Sequence, residues 1–161
     1  MAVDVYLELN GIKGESQDKT HKDKIDILAW SWGVSNSGTT HMGSGSGAGR
    51  ANFQDISVTK WIDKSSPVLF QHAANGKHIP TGKLICRKAG GKQMEYFTID
   101  IKDIIVTSVS TGGSGGEDRF TENVTLNFGS FHMKYIEQKP DGAEGAKPEM
   151  KYDIAAQDEK F

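Results

Sequence analysis

Two glycine-rich segments have the composition of loops that bind phosphate groups. The first is GSGSGAGR at residues 43–50, and the second is TGGSGGEDRF at residues 111–120. A phosphate-binding loop has to follow a strand and open into a helix, because the helix N-terminus supplies the amides that face the anion. The first segment is followed by ANFQDISVTKW, which has the pattern of a strand, and the second does not precede a helix. The sequence therefore does not predict a phosphate site.

The residues that could bind a metal or act as nucleophiles are scattered along the chain. The histidines have no i, i+4 spacing typical of a helical zinc site, and there is no CxxC motif; they are His21, His41, His72, His78 and His132. Cys86 alternates with Ile85 and Arg87 on a predicted strand, where a small buried apolar side chain is expected more often than a reactive thiol.

Carboxylates and tryptophans give no stronger indication of a reactive site. The candidate acid/base residues lie among lysines and arginines, which is typical of solvated faces; they are Asp100, Asp103, Glu117 and Asp118. Trp30 and Trp32 share a strand face with Leu28, so we expect them in the core, whereas the place of Trp61 stays open. We therefore predict no catalytic residue, no metal and no cofactor.

The charge balance and hydropathy exclude several classes of partner. The chain has 161 residues, with 19 Lys plus Arg against 21 Asp plus Glu, and a net charge of −2. A nucleic-acid binder would need a basic stripe, and no apolar run approaches the length of a membrane span. The start, MAVDVYLELNG, has no basic n-region, so we expect no secretory signal peptide. The single cysteine fits folding in a reducing cytoplasm.

Most of the chain alternates apolar and polar residues with a period of two, which indicates strands. β-branched and aromatic residues, which strands prefer, recur throughout. The alternating sets are Val3, Val5, Leu7 and Leu9; Leu28, Trp30, Trp32 and Val34; Ile56, Val58 and Ile62; Leu84 and Cys86; and Phe97, Ile99 and Ile101. We predict a mainly β fold.

The parity of this alternation changes in two places. The apolar positions are odd over residues 97–101 and even over 104–106, and they are even over 124–128 and odd over 131–135. An inserted residue restores the inward face and bends the strand, as in a β-bulge. Bent strands predict a barrel or a strongly curled sandwich. Gly90-Gly91 predicts a tight hairpin turn.

One helix is predicted at about residues 66–75. Ser65 or Ser66 can cap it, Pro67 suits its first turn, and Asn75-Gly76 supplies a left-handed end. Its apolar stripe is expected to cover one face or end of the barrel and consists of Leu69, Phe70, Ala73 and Ala74.

After Tyr135 the composition changes to a Pro/Gly/charge-rich linker, EQKPDGAEGAKPE, which precedes a possible short strand around residues 150–154. We therefore predict a β-barrel domain over residues 1–136 and a polar C-terminal arm over residues 137–161.

Three segments closely resemble one protein family. They are GESQDKTHKDKIDILAWSWGVS at residues 14–35, RKAGG at 87–91 and STGGSGGEDRFTENVTLNF at 110–128. In this order they resemble the haemolysin-coregulated protein (Hcp) family, the tube-forming subunits of the bacterial type VI secretion system. The resemblance covers roughly residues 1–136, and the last 25 residues match no pattern of the family.

The resemblance implies a fold, partners and a location. The fold would be a single-domain β-barrel of two curled antiparallel sheets with one flanking α-helix, similar to phage tail-tube proteins. The chain would form homohexameric rings that stack into a tube, which a contractile sheath encloses and which is expelled with a spike protein. Effector proteins would travel in the lumen. The protein would be made in the bacterial cytoplasm and secreted to the extracellular space or a target cell without a signal peptide, with no catalysis, nucleic-acid binding or membrane insertion.

The two glycine-rich loops are then predicted to act in assembly. We expect the longer loop to reach the next ring through Thr40, His41, Met42, Ser44, Ser46 and Arg50. We expect the shorter loop to lie at a subunit seam or rim, where glycine permits close approach and charges set the register, through Gly113, Gly116, Glu117, Asp118 and Arg119. Ser31 lies opposite the tryptophans and is expected to face the lumen, with the subunit seam as the alternative.

A second hypothesis belongs to a different class of protein. It is a β-barrel module that binds a small ligand or a protein outside any secretion tube, with Trp61 lining a pocket. The mass of the native particle distinguishes the two hypotheses, because the first predicts rings and the second predicts compact monomers.

Overall fold

The computed structural model describes residues 2–38, 47–89 and 93–161, and these contain ten strands and one helix. In the first half of the chain the elements are β1 (Val3–Leu9), β2 (Ile25–Ser31), β3 (Val34–Gly38), β4 (Ala48–Phe53), β5 (Ile56–Trp61) and α1 (Ser66–Asn75). In the second half they are β6 (Ile79–Lys88), β7 (Glu95–Gly112), β8 (Thr121–Asn127), β9 (Ser130–Tyr135) and β10 (Glu149–Asp153).

Six strands close into an antiparallel barrel in the order β7-β6-β1-β2-β5-β8, because β7 also pairs with β8. β9 and β10 extend the same sheet beyond β7, while β3 and β4 form a separate two-stranded hairpin. The prediction of a mainly β barrel with one flanking helix is confirmed for the described residues. The turn predicted at Gly90-Gly91 lies outside them, but β6 and β7 on either side of it pair with each other.

The first predicted parity change lies within β7, an 18-residue strand that changes partner along its length. Its first part pairs with β9 and its second part with β8. Between them Asp103 has a φ of 54°, in the left-handed region, so the strand bends and Ile101 and Ile104 both face the core. This prediction is confirmed.

The second parity change has a different structural basis. The chain leaves β8 at Asn127 and starts β9 at Ser130, so the change separates two strands and is not a bulge within one strand. The amide of Gly129 donates a hydrogen bond of 2.9 Å to the carbonyl of Lys102. Both changes therefore meet at one corner of the barrel.

The core lies inside the barrel and is almost entirely aliphatic, with two buried phenylalanines at one end. Fully buried members include Leu7, Ile25, Ile56, Leu69, Leu84, Ile99, Ile104, Val124, Leu126 and Phe131. Gly82 makes room for the packing of β6, because a Cβ there would lie 2.9 Å from side-chain atoms of Leu9 and Ile104.

The face predicted for β2 is wrong at Leu28. Ile25 and Ile27 point into the core, and then the register with β5 shifts between Ile27 and Ala29. This bulge turns Leu28 outward, where it is 46% exposed, and places Trp30 on the inner side. The sequence did not indicate the bulge because both faces of this segment carry apolar residues.

Helix α1 has the predicted bounds and C-terminal end, but the predicted serine cap is absent, because Ser65 at the N-cap makes no side-chain capping hydrogen bond. Pro67 lies in its first turn, and Gly76 has a left-handed φ of 69° and donates from its amide to the carbonyl of His72. The predicted stripe is only partly correct, because Leu69 is fully buried whereas Phe70 is 42% exposed. Val68 packs against the core in its place.

The segment after residue 136 packs on the barrel. β10 pairs antiparallel with β9, as Tyr152 with Phe131 and Met150 with Met133, and Tyr152 and Ile154 contact the core. The strand predicted near residues 150–154 is therefore present. The division of the chain at residue 136 stays a prediction.

Candidate functional site: the polar wall and the assembly loops

Much of the outer face of β2, β5, β8 and the second half of β7 carries short uncharged polar side chains, whereas Asp26 on β2 and Trp61 on β5 lie on the same face at one end. On these strands most inward positions are apolar, as with Val58 and Val124, so the alternate residues point outward. Strand register places Ser31 beside Ser57, and Ser57 beside Thr125, so the surface is continuous from strand to strand. We call this surface the polar wall, and its members are Ser31, Ser57, Thr59, Ser108, Ser110, Asn123 and Thr125.

Side chains of the polar wall bond to one another across the strands. Thr59 Oγ1 donates to Asn123 Oδ1 over 2.7 Å, and the hydroxyl oxygens of Ser108 and Thr125 are 2.6 Å apart. Ser31 is exposed and lies on the opposite face from Trp30, as predicted. The wall therefore offers hydroxyl and amide groups but no formal charge.

The shorter glycine-rich loop folds back on itself at the end of β7. A Cβ on Gly113 would collide with the ring of Phe120, so that close approach requires glycine. A Cβ on Gly116 would meet no atom within 4 Å, so the single subunit does not require glycine there. Glu117 closes a turn by donating from its amide to the carbonyl of Ser114 over 3.1 Å.

Charged residues follow this turn and are exposed. Asp118 points to solvent, and the guanidinium carbon of Arg119 lies 4.6 Å from the centroid of the Trp61 ring. This cation–π contact places Trp61 on the outer side of β5, where it supports the loop. Trp30 and Trp32 instead pack on Phe97 and Phe131, with ring centroids 5.6 and 4.8 Å apart, so they contact the core as predicted but are only half-buried.

Most of the predicted ring-stacking loop falls outside the described residues. This applies to Thr40, His41, Met42, Ser44 and Ser46. Arg50 lies in β4 and is exposed, on the hairpin that leads into and out of the loop. The structure thus brings Ser31 onto the wall and groups residues 113–119 at one end of β7 and β8.

Comparison with known proteins assigns the family. The family model described as "Type VI secretion system effector, Hcp" matches residues 6–135. Protein hcp1 of Pseudomonas aeruginosa is 58% identical over 149 residues, which are 92% of each chain. The chain belongs to the Hcp family. It is a protein of the type VI secretion system.

Solved structures agree with this assignment and show the same fold. A structure described as that of "a type six secretion system protein" has a TM-score of 0.92 and 29% identity, covering 99% of this chain and all of the other. Hcp1 from Salmonella typhimurium has a TM-score of 0.79 and 35% identity, covering 99% of both chains. The barrel described above is therefore the Hcp fold.

The cysteine and the possible metal ligands of this Hcp chain show no sign of a reactive site in the part that the structure describes. Cys86 is buried, and burial raises the pKa of its thiol to about 11, so the thiol stays protonated at neutral pH. Among the described residues, no group of three or more His, Cys, Asp or Glu side chains is arranged to hold a metal ion. No helix in the described part of the chain is long and apolar enough to span a membrane.

A buried charge cluster, which was not predicted from the sequence, joins β5, β8 and the start of α1. Lys60 and Glu122 have fully buried side chains, and Lys60 Nζ donates to Glu122 Oε1 over 2.5 Å and to Asp63 Oδ1 over 3.0 Å. Ser66 Oγ donates to Glu122 Oε1 over 2.6 Å. Two opposite charges at inward positions of the strand pattern were the available indication. This cluster fixes the helix to the barrel.

A second buried cation, Arg87 on β6, holds the segment between β1 and β2. Its guanidinium donates two hydrogen bonds to the Asp18 carboxylate, of 2.7 and 2.9 Å, and one to Tyr6 Oη of 2.9 Å. These bonds hold the pKa of Asp18 well below its usual value. The segment around Asp18 is thereby attached to β6 and β1.

Proposed function

We propose that this Hcp chain forms homohexameric rings which stack into the inner tube of the type VI secretion system, with the polar wall facing the lumen. The protein acts as a structural subunit without catalysis. Its partners are other copies of itself, the spike protein at the tube tip, the contractile sheath and the effectors in the lumen. It is made in the bacterial cytoplasm and leaves the cell through the apparatus.

The size of the chain is compatible with a ring that has a usable hole. A compact chain of this length has a radius of gyration of roughly 15 Å, and the equivalent sphere is about 39 Å across. Six touching spheres in a ring leave a central hole roughly 40 Å wide by the same arithmetic. A small folded protein of about that diameter would just enter it.

The observation that supports the lumen assignment is the chemistry of the polar wall. The seven wall residues, spread over four neighbouring strands, are all uncharged, and the exposed charge of Asp26 on the same face of β2 lies at the end of that strand away from Ser31. Hydroxyl and amide side chains stay hydrated and make exchangeable hydrogen bonds, while fixed charges would retain cargo of the opposite sign. Such a surface suits transport of effectors that differ in charge.

The two glycine-rich loops have separate roles in this assembly. Residues 113–119 lie at the subunit seam or rim, where the exposed charges of Glu117, Asp118 and Arg119 set register with a neighbouring copy. The loop around residues 39–46, together with Arg50, reaches the next ring. Ordering a glycine-rich loop costs conformational entropy, so stacking stays weak until the secretion machine starts a tube.

Site-specific gold labelling tests the lumen assignment directly. Ser31→Cys introduces an exposed thiol, and the native Cys86 is buried and protonated, so a maleimide-gold cluster labels residue 31 selectively. We expect negative-stain electron microscopy to show rings with gold inside the central hole.

The matched control is Phe70→Cys, which places the label at an exposed position of α1, an element that contributes no residue to the wall. Gold on this variant should lie outside the hole. Intact rings with the residue 31 label on their outer edge would overturn the lumen assignment, and a monomeric wild-type protein would overturn the ring itself.

A further inference from the structure

A groove at one end of the barrel has an apolar lining that the subunit leaves open. Two adjacent cavities of about 650 and 490 Å³ meet at Trp30 and Phe97. We call the two cavities together the mouth groove. They lie where β1 and β2 separate, because these strands pair only over residues 5–7 and 25–27.

The mouth groove concentrates the exposed apolar side chains of the described residues. Eight large apolar residues are more than a third exposed, and five of them line the groove: Val3, Leu28, Val34, Tyr135 and Met150. The lining contains no Asp, Glu, Lys, Arg or His. An apolar patch of this kind on a soluble chain marks a contact surface.

The same chain carries a smaller apolar surface that fits an uncharged groove. Ile62 and Phe120 are exposed and adjacent, since the amide of Ile62 donates to the carbonyl of Phe120 over 2.9 Å. Ile62 and Phe120 lie level with the start of β2. This follows from the strand register, in which Ile27 pairs with Lys60 and Trp61 pairs with Thr121. The start of β2 is about 16 Å along the strand from Trp30, at the opposite end of the barrel.

One subunit cannot bring two surfaces at opposite ends of its barrel together, whereas a head-to-tail row of copies can set each groove against Ile62 and Phe120 of the next copy. We propose that the mouth groove is half of the subunit seam in the ring, and that Phe120 of a second copy covers it. This inference rests on the proposed ring. The predicted seam residues 113–119 adjoin Phe120, so they would flank the same contact.

Single lysine substitutions at exposed positions test the seam. Leu28→Lys and Met150→Lys place a charge in the groove, and Phe120→Lys places one on the covering surface. Phe70→Lys is the matched control, because Phe70 is exposed to a similar extent, on α1. Native mass spectrometry measures the oligomer, and circular dichroism checks that each variant is folded.

We expect the wild type and Phe70→Lys to be hexamers. The other three variants should be folded, but their hexamers should dissociate at protein concentrations about tenfold or more above the concentration at which wild-type hexamers dissociate. Met150 lies on the edge strand β10, where a lysine disturbs the fold least. Met150→Lys therefore still tests the groove if Leu28→Lys fails to fold. Hexamers of both folded groove variants at wild-type concentrations would overturn the inference, and an unaffected Phe120→Lys would overturn the assigned occupant. A wild type that is monomeric would instead overturn the proposed function.

Discussion

Lys60 shows why a charged residue at an inward strand position has to be considered together with its partners. Its side chain is fully buried, which would be costly for an isolated ammonium group. Carboxylates from Glu122 and Asp63 and the hydroxyl of Ser66 surround it. The pairing makes a charge acceptable in the barrel and links two strands to the helix.

Lys60→Ala should therefore destabilise the subunit strongly. Loss of one partner leaves buried carboxylates without a counter-charge, which costs about 3–5 kcal/mol. Equilibrium denaturation in urea at fixed protein concentration measures the change. Lys13→Ala, at an exposed position, should change stability by less than about 0.5 kcal/mol.

The double variant Lys60→Met, Glu122→Leu removes both charges and should be more stable than Lys60→Ala. A Lys60→Ala protein as stable as the wild type would contradict the role given to the cluster.

Asp18 should make stability depend on pH in the acidic range. Its folded-state pKa lies below the unfolded value because Arg87 binds the ionised carboxylate. The ionised form therefore stabilises the fold fully above pH about 4, and this contribution is lost as the pH falls further towards the folded-state pKa.

Asp18→Asn should lower the melting temperature at pH 7, and its difference from the wild type should shrink between pH 4 and about pH 2. Thermal melts followed by circular dichroism measure both effects. Glu159→Gln, at an exposed position, should melt like the wild type at every pH. A difference for Asp18→Asn that is constant over this range would contradict the assigned ion pair.

At the scale of elements, the corner formed by β7 and the turn between β8 and β9 closes the barrel. Asp103 has a left-handed φ, and Gly129 passes close to it, because a Cβ on Gly129 would lie 3.3 Å from the Cβ of Asp103. β7 changes partner from β9 to β8 at this point. The conformation of one residue thus allows a single strand to serve two parts of the sheet.

Substitutions at Asp103 test this backbone requirement. Asp103→Gly should be tolerated, whereas Asp103→Val should be less stable than Asp103→Gly by more than about 1 kcal/mol, because a β-branched residue disfavours positive φ. Urea denaturation of both variants gives the comparison. Equal stabilities would show that the corner does not depend on this conformation.

At the scale of the whole molecule, the proposed tube depends on two kinds of contact between copies. We propose that the ring uses the apolar mouth groove and that stacking uses the glycine-rich segment around residues 39–46, whose ordering between rings would cost conformational entropy. Ring assembly should therefore be tighter than stacking. The two contacts should also be separable by mutation.

Deletion of residues 44–48 should leave hexamers intact and abolish stacked rings. Sedimentation velocity distinguishes monomers, single rings and stacks, and Phe70→Lys serves as a variant outside both contacts. Loss of hexamers on this deletion, or unchanged stacking, would contradict the assignment of the loop.

Several features could be predicted from the sequence because they depend on near neighbours. The period of two indicates strands, Pro67 and Gly76 bound α1, and the parity change over 97–106 locates the bend in β7. Family membership followed from local motifs such as AWSWG and STGGSGGEDRF. These properties are carried by residues close together in the chain.

Other features were decided only by the tertiary structure. Leu28 faces outward because β2 has to shift register against β5, and Lys60 meets Glu122 across 62 positions of the chain. The polar wall likewise combines β2, β5, β7 and β8, which are neighbours only in the closed barrel. The alternation of apolar and polar residues predicts which side of a strand a residue occupies. Strand order and bulges depend on pairing between distant segments, so residues from different strands become neighbours only in the closed barrel.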